Sequence, residues 1–127
     1  MKLTSRRERL QRWAAVLEQH EGRVKPFERM EYMSRRACRN LRDEETPVAL
    51  AFADPVLRAA GLKSDRLGDA MTFFGLSYGQ THRLLCDCHY QGTMTGRSVA
   101  AHLRAVADGG IVRRIWDWSM ARVAMAR

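Results

Sequence analysis

Apolar residues near the start of the chain recur with the period of an α-helix. Leu3, Leu10 and Leu17 follow one another at seven-residue intervals, so one stripe of a helix carries all three, and we expect this helix to end near Gly22. A second helix is predicted to open at Pro26, whose fixed φ suits a first helical turn. The predicted buried face of this second helix consists of Phe27, Met30, Met33, Ala37 and Leu41.

Two prolines mark the starts of short helices in the middle of the chain. Thr46 and Asp54 each precede a proline, which is the pattern of an N-cap residue followed by proline at the first helical position. The spacing therefore predicts two short helices over residues 46–61, and Gly61 is expected to close the second of them.

Further helices are predicted from the capping residues in the second half of the chain. Ser64 or Asp65 is expected to cap a helix that runs to about Phe74. After a short turn, Ser77 is expected to start another helix that runs to about Tyr90.

Glycine-containing breaks at residues 91–93 and 108–110 delimit the remaining elements, a helix over about 95–107 and a last helix from about residue 111. No stretch alternates apolar and polar residues with the period of two that a half-buried strand requires. The pattern as a whole predicts an all-α protein, a compact irregular bundle of six to seven short helices, in a single domain that spans residues 1–127.

Composition narrows the classes of function. The 127 residues carry a net charge of +8, which favours a polyanionic partner such as a nucleic acid or an acidic protein surface. The longest apolar stretch, over about residues 48–53, is far shorter than the roughly 20 residues of a membrane span. The N-terminal residues lack the apolar core of a signal peptide, and three cysteines suit reduced thiols, so we expect a cytoplasmic protein without a membrane contact.

The segment from Leu67 to Leu84, LGDAMTFFGLSYGQTHRL, resembles the helix-turn-helix of many DNA-binding regulators. Gly75 stands at the turn, and Leu76 and Leu84 would pack inward. Met71 departs from the usual small alanine, and position 81 carries threonine where valine or isoleucine is usual. The resemblance implies a second helix in the major groove, with contacts to phosphates and base edges from Ser77, Tyr78, Gln80, Thr81 and Arg83.

Basic residues at the two ends of the chain extend this hypothesis. Arg6 and Arg7 on the first helix, and Arg113 and Arg114 on the last, have few acidic neighbours and are predicted to contact phosphates. The leading prediction is thus a small basic DNA-binding protein, of the kind that regulates transcription. No paired carboxylates and no glycine-rich phosphate loop are evident, so we expect neither an enzyme nor a bound cofactor.

The last helix supports an alternative function. Trp116 and Trp118 are about 200° apart around a helical axis, so a single core cannot easily bury both. A terminal helix with two apolar faces is typical of a homodimer seam or a partner-docking helix. The alternative is therefore a protein-interaction module, an adaptor or inhibitor that binds an acidic partner through a basic surface and these tryptophans.

Three potential metal ligands lie close together in the sequence. His82, Cys86 and His89 would share one face of a continuous helix at i, i+4 and i+7, and Cys38 or His102 would supply a fourth ligand for zinc. The sequence lacks paired Cys-x2-Cys motifs, and free cysteines commonly fill core space. We therefore predict no metal site and no cysteine nucleophile from these residues.

Overall fold

Helices make up most of the computed structural model, which describes residues 3–26, 46–86, 89–90 and 94–109. Within these ranges there are six helices and no β-strand, and one isolated bridge pairs Arg23 with Thr95. The prediction of a compact all-α fold is confirmed. The helices are α1 (Arg6–Glu18), α2 (Pro47–Ala53), α3 (Pro55–Ala60), α4 (Leu67–Phe74), α5 (Tyr78–Leu85) and α6 (Gly96–Ala107).

Side-chain caps fix the starts of most helices, as their sequences predict. The Thr46 side chain accepts a hydrogen bond from the backbone nitrogen of Ala49, and Asp54 accepts one from that of Leu57, each at 3.1 Å. Each bond satisfies one of the backbone N–H groups that a helix start leaves without a partner inside the helix. Gly61 ends α3 with φ at +123°, a conformation that side chains rarely adopt.

Three predicted boundaries are wrong. α1 ends at Glu18 rather than near Gly22. α4 follows Arg66 rather than a Ser64 or Asp65 cap, and the Ser64 hydroxyl instead accepts from the backbone nitrogen of Arg66 at 3.0 Å while it donates to the Asp69 carboxylate at 2.6 Å. α5 ends at Leu85 rather than near Tyr90, since Cys86 is extended. The Tyr90 hydroxyl then donates to the carbonyl of Leu84 at 2.6 Å, and burial raises the pKa of this phenol.

The core is arranged around α1, which contacts α2, α3, α4 and α6. Leu10, Trp13 and Leu17 on α1 are fully buried. The Trp13 ring stacks on Phe74 with the centroids 4.2 Å apart, and its indole nitrogen donates to the carbonyl of Pro47 at 2.8 Å. One side chain therefore joins the first helix to α4 and to the start of α2.

α1 and α6 run antiparallel in close contact. At one end, Arg7 pairs with Asp108 at 2.8 Å. At the other end, α6 begins at Gly96, where a Cβ atom would overlap the carbonyl oxygen of Leu17. Glycine at this position therefore allows the start of α6 to meet the end of α1.

Several predictions fall outside the described residues. These are the second helix over residues 27–41, the last helix, Cys38 as a zinc ligand, the phosphate contacts of Arg113 and Arg114, and the interface of Trp116 and Trp118. Among the residues that the structure does describe, no helix is both long enough and apolar enough to span a bilayer.

Candidate nucleic-acid interface

A glycine turn joins α4 to α5. Gly75 adopts the left-handed conformation, with φ at 63° and ψ at 44°. The backbone nitrogen of Leu76 donates to the carbonyl of Met71 at 2.9 Å, and that of Gly75 donates to Thr72 at 3.4 Å, the pattern of a Schellman motif. Leu76 is buried, as predicted, and anchors the turn to the core.

α5 begins with a reciprocal pair of caps. The Ser77 hydroxyl accepts from the backbone nitrogen of Gln80 at 3.1 Å, while the Gln80 side-chain oxygen accepts from the backbone nitrogen of Ser77 at 3.0 Å. Both residues were predicted to contact DNA, and both help to hold the helix start. The amide nitrogen of Gln80 is therefore the group of this side chain that remains suited to a base edge.

α5 buries one face and exposes the other. Thr81, Leu84 and Leu85 point into the core. The prediction that Thr81 contacts DNA is contradicted, because this side chain is 3% exposed and its hydroxyl donates to the carbonyl of Ser77 at 2.8 Å. The exposed face carries Tyr78, Gly79, His82 and Arg83.

Tyr78 and Arg83 were both predicted as contacts to DNA, and both are exposed. Tyr78 is the most prominent, with 67% of its surface accessible. Most of this aromatic side chain is therefore accessible from solvent. The helix has no acidic residue, so nothing on α5 itself opposes a polyanion.

Two arginines of α1 bind the carbonyls at the end of α4. Arg6 donates from Nε to the carbonyls of Phe74 and Gly75 at 3.1 and 3.0 Å. Arg9 donates from Nη1 to the carbonyl of Phe73 at 3.0 Å and lies over its ring, 4.5 Å from the centroid. The last carbonyls of a helix carry partial negative charge, which explains why guanidinium groups gather there.

These contacts place part of the basic N-terminal helix beside the α4–α5 turn. Arg6 keeps its exposed position while bonded to Gly75, two residues before the cap of α5. Arg7, predicted to act with Arg6, instead pairs with Asp108 beyond the end of α6. The sequence pattern did not indicate that Arg6 and Arg9 cap α4, because those bonds join residues more than 60 positions apart.

The predicted three-ligand stripe does not form as a single helical face. α5 ends before Cys86, so His82, Cys86 and His89 do not share one continuous helix. Among the described residues there is no group of three or more potential metal ligands. His102, the other candidate for a fourth ligand, stacks on the ring of Tyr90 with the centroids 4.6 Å apart.

His82 and His89 nevertheless meet across the end of α5. Nε2 of His89 lies 3.2 Å from Nδ1 of His82, and the rings are nearly perpendicular with their centroids 5.1 Å apart. Periodicity predicted a shared face for these histidines, but in a continuous helix they would lie about 10.5 Å apart along the axis, too far for this contact between the rings.

Comparison with models of protein families, with curated proteins and with solved structures gave no match.

Proposed function

We propose that this protein binds double-stranded DNA by placing the exposed face of α5 in the major groove. The observation that carries the proposal is the exposure of Tyr78, His82 and Arg83 on a helix that follows a tight glycine turn and has no acidic residue. An α-helix with its side chains is about 10–12 Å in diameter, so α5 fits a major groove about 12 Å wide.

Electrostatics supports the same orientation. The chain carries a net charge of +8, and most of the affinity of DNA-binding proteins for the duplex comes from contacts with phosphates. The backbone N–H groups of Tyr78 and Gly79, in the first helical turn, lie at the positive end of the helix dipole. Arg6 is bonded to the turn immediately before them, so a phosphate at this point would meet a positive helix end and a guanidinium together.

The side chains divide into two roles in this proposal. Arg83 and the amide of Gln80 would read base edges, since a guanidinium matches guanine and an amide matches adenine. Ser77, Tyr78 and Arg6 would fix the register by contact with phosphates. Thr81 has no part because it is buried. Such sequence-specific binding is what a transcriptional regulator requires.

The first test is a fluorescence anisotropy titration against a labelled pool of random-sequence duplexes, at salt concentrations from about 50 to 200 mM. Heparin serves as the competitor for charge alone. We expect the affinity to fall steeply as the salt concentration rises. We also expect some sequences of the pool to stay bound when heparin is added, and these form the enriched set. Absence of binding even at the lowest salt concentration would reject the proposal and turn attention to an acidic protein partner.

The second test compares two arginines in the enriched duplex and in a scrambled one. Arg83→Ala should reduce the preference between the two duplexes by about 5- to 150-fold, the equivalent of one lost bidentate contact of about 1–3 kcal/mol. The matched control is Arg97→Ala, because Arg97 is exposed. Arg97 follows Gly96, which contacts the C-terminal end of α1, whereas Arg6 lies at the N-terminal end of that helix. Equal loss of preference in both variants would show that total charge, and not α5, determines binding.

A further inference from the structure

The histidine pair at the end of α5, His82 and His89, is given no contact with bases or phosphates in the proposed function. His82 lies on the exposed face of α5, and His89 follows the end of that helix. Both side chains are exposed, and their nearest ring nitrogens, Nδ1 of His82 and Nε2 of His89, are 3.2 Å apart. The pair is therefore accessible to a solute without any movement of the core.

The distance between these nitrogens matches the spacing of two ligands on one metal ion. Bonds from zinc to imidazole nitrogen are about 2.0–2.1 Å long, so two ligands of a tetrahedral site lie about 3.3 Å apart. In an octahedral site with similar bonds the spacing is about 2.9 Å. The 3.2 Å separation falls between these values, and an ion beside the pair would reach both nitrogens after a small rotation of the exposed rings.

We propose that His82 and His89 form a two-histidine site for a divalent transition metal ion, with zinc as the ion to test first. Imidazole is a preferred ligand of zinc, copper and nickel, whereas magnesium and calcium prefer oxygen. Two histidines occupy two coordination positions of such an ion, and among the described residues there is no group of three or more potential ligands. The closed sites that stabilise small domains have four protein ligands, whereas this proposal commits to two.

Metal binding has a defined structural consequence. Without metal, the two facing nitrogens share one proton, because a hydrogen bond between two rings needs one donor and one acceptor. A metal ion accepts a lone pair from each of these nitrogens, so the proton of the donor ring moves to the other nitrogen of that ring through exchange with solvent. The bound ion links His89, after the end of α5, to His82 on the exposed face of the helix, next to Arg83. The site itself does not depend on DNA binding.

Isothermal titration calorimetry with zinc chloride tests the site on the full chain, after treatment with a chelator that is then removed. The wild-type protein should bind one equivalent at these residues. His82→Ala and His89→Ala should each weaken that binding by about tenfold or more, since the second ligand of a chelating pair binds intramolecularly. His20→Ala is the matched control and should bind as the wild type does, because His20 follows the end of α1 and lies outside the pair.

Two outcomes would overturn the proposal. One is wild-type affinity in both histidine variants, with circular dichroism confirming that each is folded, since any bound zinc would then lie elsewhere. The other comes from cobalt substitution, which reports on the ligands through absorption. Nitrogen and water ligands should give only weak bands, whereas an intense sulfur-to-metal charge-transfer band would show thiolate ligation, by Cys86 or another cysteine, instead of two histidines.

Discussion

Gly96 is the residue at which the two longest described helices come closest. A Cβ atom there would overlap the Leu17 carbonyl oxygen and lie 3.1 Å from that of His20. Both obstacles are backbone atoms, which cannot rotate away as a side chain can. The contact between α1 and α6 therefore depends on a missing methyl group, although in sequence Gly96 looks like a poor residue for the start of a helix.

The substitution Gly96→Ala should destabilise the protein by about 1–3 kcal/mol, the usual cost of overpacking a close contact. Gly68→Ala is the matched control: Gly68 lies in α4 and a Cβ atom there meets nothing within 4 Å. This control should be neutral or raise the free energy of unfolding by up to about 1 kcal/mol. Urea denaturation of both variants measures the difference, and equal stability would contradict the close approach at Gly96.

The α4–α5 corner combines three local devices in a few residues. Gly75 turns the chain, buried Leu76 anchors it, and Ser77 caps the next helix. Arg6 closes the same turn from α1 by bonding to its carbonyls. The direction of α5, and thus of its exposed face, depends on this turn more than on the composition of the helix itself.

Gly75→Ala should lower the free energy of unfolding by about 1–2 kcal/mol, because a side chain with a Cβ is strained at positive φ. Gly75→Asn should cost less, since asparagine tolerates the left-handed region better. Both variants would press on Arg6, which lies 3.1 Å from the added Cβ, so the difference between them isolates the backbone conformation. Thermal melts followed by circular dichroism measure it, and a less stable Asn variant would refute the explanation.

Across the molecule, a partly buried ion pair joins the first helix to the short middle helices. Arg12 on α1 donates two hydrogen bonds to the Asp54 carboxylate, at 3.0 and 2.7 Å. Asp54 is also the cap of α3 and is buried. The guanidinium of Arg12 lowers the pKa of this carboxyl group, and the hydrogen bonds to Asp54 raise that of Arg12 in turn.

This pair predicts a loss of stability in acid. The pKa of Asp54 in the folded protein lies below its value in the unfolded chain, about 3.9, so on acidification the unfolded state binds the proton first. The contribution of the pair is complete well above pH 4 and is lost as the pH falls through the folded pKa. Denaturation as a function of pH should show a shallower acid decline for Asp54→Asn than for the wild type. Identical declines would show that other carboxyl groups account for the acid sensitivity.

Most of the local structure was predictable from sequence. The caps at Thr46, Asp54 and Ser77 and the ends at Gly61 and Gly75 were identified because each depends on residues within a few positions of one another. The resemblance to a helix-turn-helix implied exposed side chains at Tyr78 and Arg83, which are exposed, and at Thr81, which is buried. Ser64 was misassigned because its hydroxyl accepts from the backbone nitrogen of Arg66, which precedes α4, and not from a backbone nitrogen within the helix.

The sequence by itself determined that the chain is basic, that its described part is helical, and where most of those helices begin. Only the tertiary structure decided that Thr81 is buried, that Arg6 bonds to the turn before α5, and that the histidines after and within α5 meet. Helix starts depend on hydrogen bonds between neighbours, which the order of residues specifies directly. Contacts such as that between Arg6 and Gly75 join residues 69 positions apart, and they exist only once packing around Trp13 has brought α1 against α4.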